Sequence, residues 1–189
     1  FNYFSQSLSG ASGSLVGNAS LLSKVYFPRI LIPISPVLSK LVDFAIAFVI
    51  LIVVMIFYGI SPTWNIVYLP LLMIMMIMTA LGVGMWLSSL AIQYRDVRFA
   101  IGFITTLLMY TAPVVFPASL ILEKYGYTTY LAYGIYPMVG VIEGFRASLL
   151  GFKPMPWDLI SIGAVSAILL FLTGVFYFKR TERVFADVA

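Results

Sequence analysis

Lys40 and Asp43 stand three residues apart inside an otherwise apolar stretch, a spacing that places both on one face of a helix. In hydrocarbon such a pair reads as a local ion pair with the lysine reaching for the interface, or as a proton or ion site. A lone acid with a cation one turn away favours the ion pair. Glu143 and Arg146 repeat the spacing, and pairing is again the expected state, with contact to a polar cargo as the alternative. The chain has no His and no Cys. That removes Ser-His triads, thiolate nucleophiles, disulfides and zinc sites built on those ligands. An intramembrane aspartyl protease needs two acids within apolar stretches and a proton-coupled carrier needs more, and only Asp43 qualifies. No G-x-x-x-x-G-K-[ST] loop occurs, so the chain carries no phosphate cradle of that type. Gly82-Val83-Gly84 looks glycine-rich, but Ala80, Gly84 and Ser88 form a small-xxx-small ladder, which is a packing face.

The elements that must hold these residues are membrane helices. Of the 189 residues, 62% are hydrophobic and 10% charged, and the mean hydropathy is +1.05. A soluble domain cannot hide that much apolar surface in one core. The net charge of +4 is too small and dispersed for a nucleic-acid partner. A helix needs about 20 apolar residues to cross about 30 Å of hydrocarbon. Four stretches qualify, at roughly 37–58, 66–92, 99–116 and 159–178. Their apolar runs are continuous and lack the alternation of a barrel strand. A Ser- and Gly-rich partial span covers 1–16, and the chain reads as the interior of a longer one. The expected fold is therefore an all-α polytopic transmembrane helical bundle forming a single domain, N-terminally incomplete.

Charge gives the orientation. Lys24 and Arg29, Arg95 and Arg98, and Lys179, Arg180 and Arg183 fall on one side if the spans alternate; Lys124, Arg146 and Lys153 fall on the other. Seven against three places the first side, including the 179–189 tail and the C-terminus, in the cytoplasm. Two segments on that side suit mechanical docking. Within 18–30, an Asn cap precedes a short amphipathic helix with Leu21, Leu22, Val25 and Tyr26 on one face, followed by Phe27, Pro28 and Arg29. The second is the charged turn Tyr94-Arg95-Asp96-Val97-Arg98. Lipid contact is the alternative for the first.

The far side carries a long segment, 117–158, crowded by Tyr125, Tyr127, Tyr130, Tyr133 and Tyr136. From Pro137 to Leu150 apolar positions recur at three and four, which predicts an amphipathic or re-entrant helix. The tyrosines alone are consistent with a headgroup belt. Phe103, Tyr110 and Phe116 fall on one face of the third full span by approximate helical spacing. With Glu143 and Arg146 they are the candidate lining of a pathway, against the alternative of packing or lipid contact.

The run Asn18–Arg29 with its Val25-Tyr26-Phe27-Pro28-Arg29 is similar to a stretch of type-2 ABC export permeases. So are Leu41-Val42-Asp43-Phe44, Tyr94-Arg95-Asp96-Val97, Pro113-Val114 with Pro117-Ala118-Ser119, Ile142-Glu143-Gly144-Phe145-Arg146, and the ending Glu182–Val188. The ordered set most resembles the branch that exports O-antigen, capsule or teichoic-acid chains. The chain has Tyr136-Pro137 where that family often has Asn before the proline. The resemblance implies six spans, of which this sequence would supply the end of the second and the third to sixth, with outer re-entrant helices before the last. It implies that 18–30 is a coupling helix, so that Leu21, Leu22, Lys24, Val25, Tyr26, Phe27, Pro28 and Arg29, with Tyr94, Arg95, Asp96 and Arg98, meet a nucleotide-binding ATPase subunit. ATP and Mg would reside on that partner, with no cofactor on this chain. Two copies of the chain in the bacterial cytoplasmic membrane would enclose a polysaccharide pathway. A lipid or drug cargo is the alternative, and an enzyme acting on lipid-linked sugars a weaker one.

Overall fold

The structure is a computed structural model that describes residues 1–18, 28–60 and 62–182, without the Arg95 side chain. It is built from seven α-helices, with no strand among the described residues. They are α1 (Asn2–Gly17), α2 (Leu31–Phe57), α3 (Leu69–Gln93), α4 (Arg95–Thr111), α5 (Ser119–Tyr133), α6 (Pro137–Leu150) and α7 (Trp157–Thr181). A 3₁₀ turn, Trp64–Tyr68, leads into α3. Among the described residues three segments are long and apolar enough to cross a membrane: Leu31–Phe57, Trp64–Gln93 and Trp157–Thr181.

The sequence-based bounds shift for identifiable reasons. α2 begins six residues before the expected 37, because Pro33 lies in its first turn, where no N–H is needed, and Pro36 is absorbed inside the helix. α4 replaces the expected full span at 99–116. It starts at Arg95 and stops at Thr111, since Pro113 drives Ala112 into extended geometry (ψ 151°). At 17 residues it is ~25 Å long, short of a full span by itself.

The bundle core joins α1, α3 and α7. A Cβ placed on Gly82 would stand 2.6 Å from the Leu170 backbone, and one on Gly84 would stand 2.8 Å from Ala11 Cβ. So α3 touches α7 on one side and α1 on the other at backbone distance, the device that lets helices associate where no hydrophobic driving force separates them from lipid. The serines and threonine in these contacts turn inward on their own helices. Ser14 donates to the Ala11 carbonyl (2.6 Å), Thr79 to Met75 (2.8 Å) and Ser89 to Met85 (2.9 Å). Around them Phe4, Leu8, Leu72, Met85 and Phe178 are fully buried.

Two aromatic pairs bracket the bundle. Tyr68 packs edge-on against Trp157 at 4.8 Å, and Trp86 stacks on Tyr177 at 4.9 Å. The pairs are separated by 18 residues along one strand of chain and 20 along the other, or ~27–30 Å of helix. That matches the hydrocarbon thickness, whose borders favour Trp and Tyr.

On this scale α6 is a re-entrant helix. It begins where Pro137 lies against Gly163, ~9 Å inward from Trp157. It then runs back along α7, past Leu159 at Gly140 and Leu72 at Gly144, to Ser148, whose carbonyl accepts from Thr63 Oγ1 (2.8 Å). Pro137 at its first turn and Gly151, left-handed at φ 68°, delimit it. α6 is largely buried in the bundle, and so does not lie flat on lipid. Backbone that turns back at this depth is tolerated because protein surrounds it.

Candidate functional site

Two surfaces carry the residues singled out in the sequence. The first is the end of the bundle at Trp86 and Tyr177. Leu15, Ile32, Met85 and Phe178 form a cluster there, and both Ile30 and Ile92 pack on it. This brings the start of α2 and the end of α3 onto one base. Arg29 Nη1 donates to the Glu182 carbonyl at 2.6 Å, so the residue entering α2 also caps the end of α7. Pro28 is exposed. Leu21, Leu22, Lys24, Val25, Tyr26 and Phe27 lie outside the described residues. The expected charged turn at 94–98 is corrected: only exposed, extended Tyr94 (φ −126°, ψ 111°) interrupts the chain, and Arg95, Asp96 and Arg98 belong to the first turn of α4. Asp96 is suited to that helix start, and Arg98 Nε reaches the Ala91 carbonyl at 3.4 Å across the break.

The second surface is the outward face of α4. Phe103 (68% exposed) and Tyr110 (62%) share it as expected. Phe116 does not. It lies five residues past the end of α4, half-buried, because the helix stops before Pro113. The face is instead completed by Phe99 (85% exposed) and Thr106. The i, i+4, i+7, i+11 series beginning at Phe99 is visible in the sequence, at the first residue of the expected span. Among the described residues no other helix covers these side chains.

On α2, Lys40 Nζ and Asp43 Oδ2 form the expected ion pair at 2.8 Å. With the span starting at 37, the sequence puts the pair near its cytoplasmic end; α2 starts at Leu31, so the pair lies deeper. Asp43 lies eleven residues past Ile32, which packs at the Trp86 level, and so ~16 Å along the helix, near mid-membrane. Both side chains are more than a third exposed and line a cavity of about 430 Å³ with Asn2, Gln6 and Val114. Charged groups at this depth face a bundle interior, another chain or water. Asn2 and Gln6 were missed because a Ser-rich partial span gives them no distinguishing context.

Glu143 and Arg146 pair at 2.7 Å, and the pair has further work. Glu143 Oε1 also accepts from the Ala118 N–H (2.7 Å), while Arg146 Nη2 donates to the Pro113 carbonyl (2.9 Å). Together they staple the 112–118 loop to α6. The tyrosine belt divides likewise. Tyr133 Oη donates to the Thr111 carbonyl and Tyr136 Oη to that of Leu108 (3.5 Å), tying the α5–α6 hairpin to α4. Burial, and then the charge of Glu143, push the Tyr133 phenol up to about 12, so it remains a donor at physiological pH. Tyr127 Oη instead donates to Asp158 (3.1 Å). That hydrogen bond, with burial and the carboxylate charge adding to it, raises the phenol above its ordinary value.

No group of three or more His, Cys, Asp or Glu suited to a metal occurs among the described residues. What the arrangement offers is a helical frame, an uncovered aromatic and hydroxyl face, and a polar base at one end.

Residues 2–150 match the family described as ABC-2 type transporter. Over 182 residues the chain is 27% identical to the O-antigen export system permease protein RfbA of Myxococcus xanthus, covering 96% of this chain and 69% of that protein. It is 25% identical to the protein of the same name from Klebsiella pneumoniae over 189 residues, covering all of this chain and 71% of the relative. The match spans α1 to α6, including the re-entrant hairpin and the α4 face, and the chain belongs to the ABC-2 type transporter family, as a multi-pass membrane protein.

Proposed function

We propose that the chain is the permease subunit of an ABC exporter that moves an O-antigen-like polysaccharide across the bacterial cytoplasmic membrane, powered by a separate ATPase subunit. The observation that carries this reading is the family match joined to relatives along the whole chain named as O-antigen export permeases. The excess of basic residues beside the Trp86–Tyr177 end supports a cytoplasmic base and C-terminus.

A glycan crossing ~30 Å of hydrocarbon would lose water from every hydroxyl, at a cost of several kcal/mol for each group left unpaired. Two copies of the chain with their α4 faces toward a shared pathway would replace that water. Phe99, Phe103 and Tyr110 offer ring faces to the C–H faces of sugars. Stacking of this kind tolerates changes of register and so permits sliding. Thr106 and Tyr110 add hydroxyls, and Lys40, Asp43, Asn2 and Gln6 add polar groups at mid-depth.

The whole reading is tested by complementation. Cells lacking the permease should regain surface polysaccharide when the full-length protein is supplied with its ATPase, and failure to regain it refutes the reading. Phe103→Ala with Tyr110→Ala should cut export severalfold, since each ring contact contributes about 0.5–1.5 kcal/mol, with insertion and expression unchanged. Unaltered export would remove α4 from the pathway.

The base of the bundle is the proposed coupling surface. Arg29→Ala should lower polymer export per ATP hydrolysed about threefold or more, because the α2 start is freed from the α7 end. An unchanged ratio would assign Arg29 to folding alone. Tyr26→Ala or Phe27→Ala should uncouple ATP hydrolysis from export while leaving insertion intact, and unchanged transport would refute docking through that segment.

A further inference from the structure

We propose that the cavity enclosed by α5, α6 and the start of α7 is a binding site for one or two neutral hexose units of the exported chain, a reading that rests on the polysaccharide assignment above. The cavity measures about 630 Å³, within the ordinary range for small-molecule sites. Two tyrosines and four charged side chains line it: Tyr127, Tyr130, Glu143, Arg146, Lys153 and Asp158.

Their charges cancel, two cations against two carboxylates. An anionic ligand would meet Glu143 and Asp158 as well as the cations, whereas a neutral polyol meets donors and acceptors of both kinds. Acceptors remain open. Glu143 uses only Oε1, for Ala118 and Arg146, and Oε2 takes no hydrogen bond among the described residues. Asp158 uses Oδ2 for Tyr127, leaving Oδ1 in the same condition. Lys153 donates to Ser119 at 2.7 Å and keeps two further N–H groups. A hexose presents this kind of need, several hydroxyls that both donate and accept.

The aromatic component fits the same ligand. Tyr127 and Tyr130 lie with ring centroids 6.3 Å apart and planes 26° from parallel. Tyr127 is about half exposed, so a ring face remains for the C–H face of a pyranose. The remaining wall is mostly apolar, as is usual for sites in which a few polar groups set orientation. An acyl chain would match that wall but leave four charged groups against hydrocarbon. Asp158 follows Trp157, at the aromatic border of the bundle, so the site stands where a sugar leaving the bilayer meets water. A unit held there opposes backward sliding of the polymer between power strokes.

The test uses the full-length protein with its ATPase partner in lipid nanodiscs, titrated calorimetrically with maltotetraose, mannotetraose and tetragalacturonate. Saturable binding of a neutral tetrasaccharide is expected, about tenfold tighter than the acidic one, and weakened about tenfold by Asp158→Asn and by Tyr130→Ala. No binding, preference for the acidic tetramer, affinity unchanged in both variants, or phospholipid in the cavity that neutral sugar fails to displace would overturn the site. Polymer export by the wild-type complex in cells is scored separately. Export without sugar binding removes this site and leaves the permease function standing, while absence of export removes the function itself.

Discussion

Gly82→Leu is expected to prevent assembly of the helical bundle. The α3 and α7 backbones meet at Gly82 and Gly174: a Cβ at Gly82 would lie 2.6 Å from the Leu170 carbonyl carbon and oxygen and 2.7 Å from the Phe171 nitrogen, and a Cβ at Gly174 would strike the Gly82 backbone. No rotamer change relieves a collision with main chain. Adding even small groups to a packed interior costs about 1–3 kcal/mol. A leucine side chain here forces the two helices apart and loses their shared contacts along the whole interface, which no hydrophobic effect in the bilayer replaces. Detergent-solubilised protein should lose its monodisperse elution and its cooperative melt. Gly13→Ala is the control, since nothing lies within 4 Å of a Cβ there. Wild-type elution and melting of the Gly82→Leu variant would contradict the packing.

Arg146→Ala is expected to produce the largest loss from any single charged residue. Glu143 is buried, its side chain only 11% exposed, and one of its oxygens serves both Arg146 and the Ala118 N–H. Truncating one partner of such a pair leaves a charge without compensation, a change that costs about 3–5 kcal/mol when fully buried. The Arg146 side chain keeps 33% exposure, so about 2–3 kcal/mol is the expected loss here. The Pro113 carbonyl loses its donor at the same time, and the loop between α4 and α5 is released. Limited proteolysis should therefore cut within 112–118 in the variant and not in the wild type. Arg146→Lys restores the charge but not the two-way fork, and should fall between them. Equal melting of all three proteins would contradict the staple.

How much of this was legible in the sequence depends on what kind of signal each feature carries. The bounds of α6 were readable at both ends, because Pro137 can start a helix and Gly151 can end one, with a 3–4 apolar rhythm between. The two ion pairs followed from i, i+3 spacing alone. Pro113 was readable as a stop, but its effect on Ala112 ends α4 early, which moves Phe116 off the shared face. Pro33 and Pro36 fit inside α2, which therefore starts sooner than the expected 37 and carries Lys40 and Asp43 toward mid-membrane. The staple to Ala118 and Pro113, and the ties from Tyr133 and Tyr136 to α4, join residues 22–33 positions apart. Local spacing holds no record of such contacts.

The proposed function is conduction of a polysaccharide through this bundle under power from another subunit. The most direct measurement reconstitutes the full-length protein with its ATPase in sealed vesicles and follows a lipid-linked polysaccharide loaded on the ATPase side. The expected result is ATP-dependent appearance of the polymer on the opposite side, abolished when the ATPase subunit cannot hydrolyse ATP. Hydrolysis of ATP with the polymer left behind, while a fluorescent phospholipid or a drug crosses instead, would contradict it.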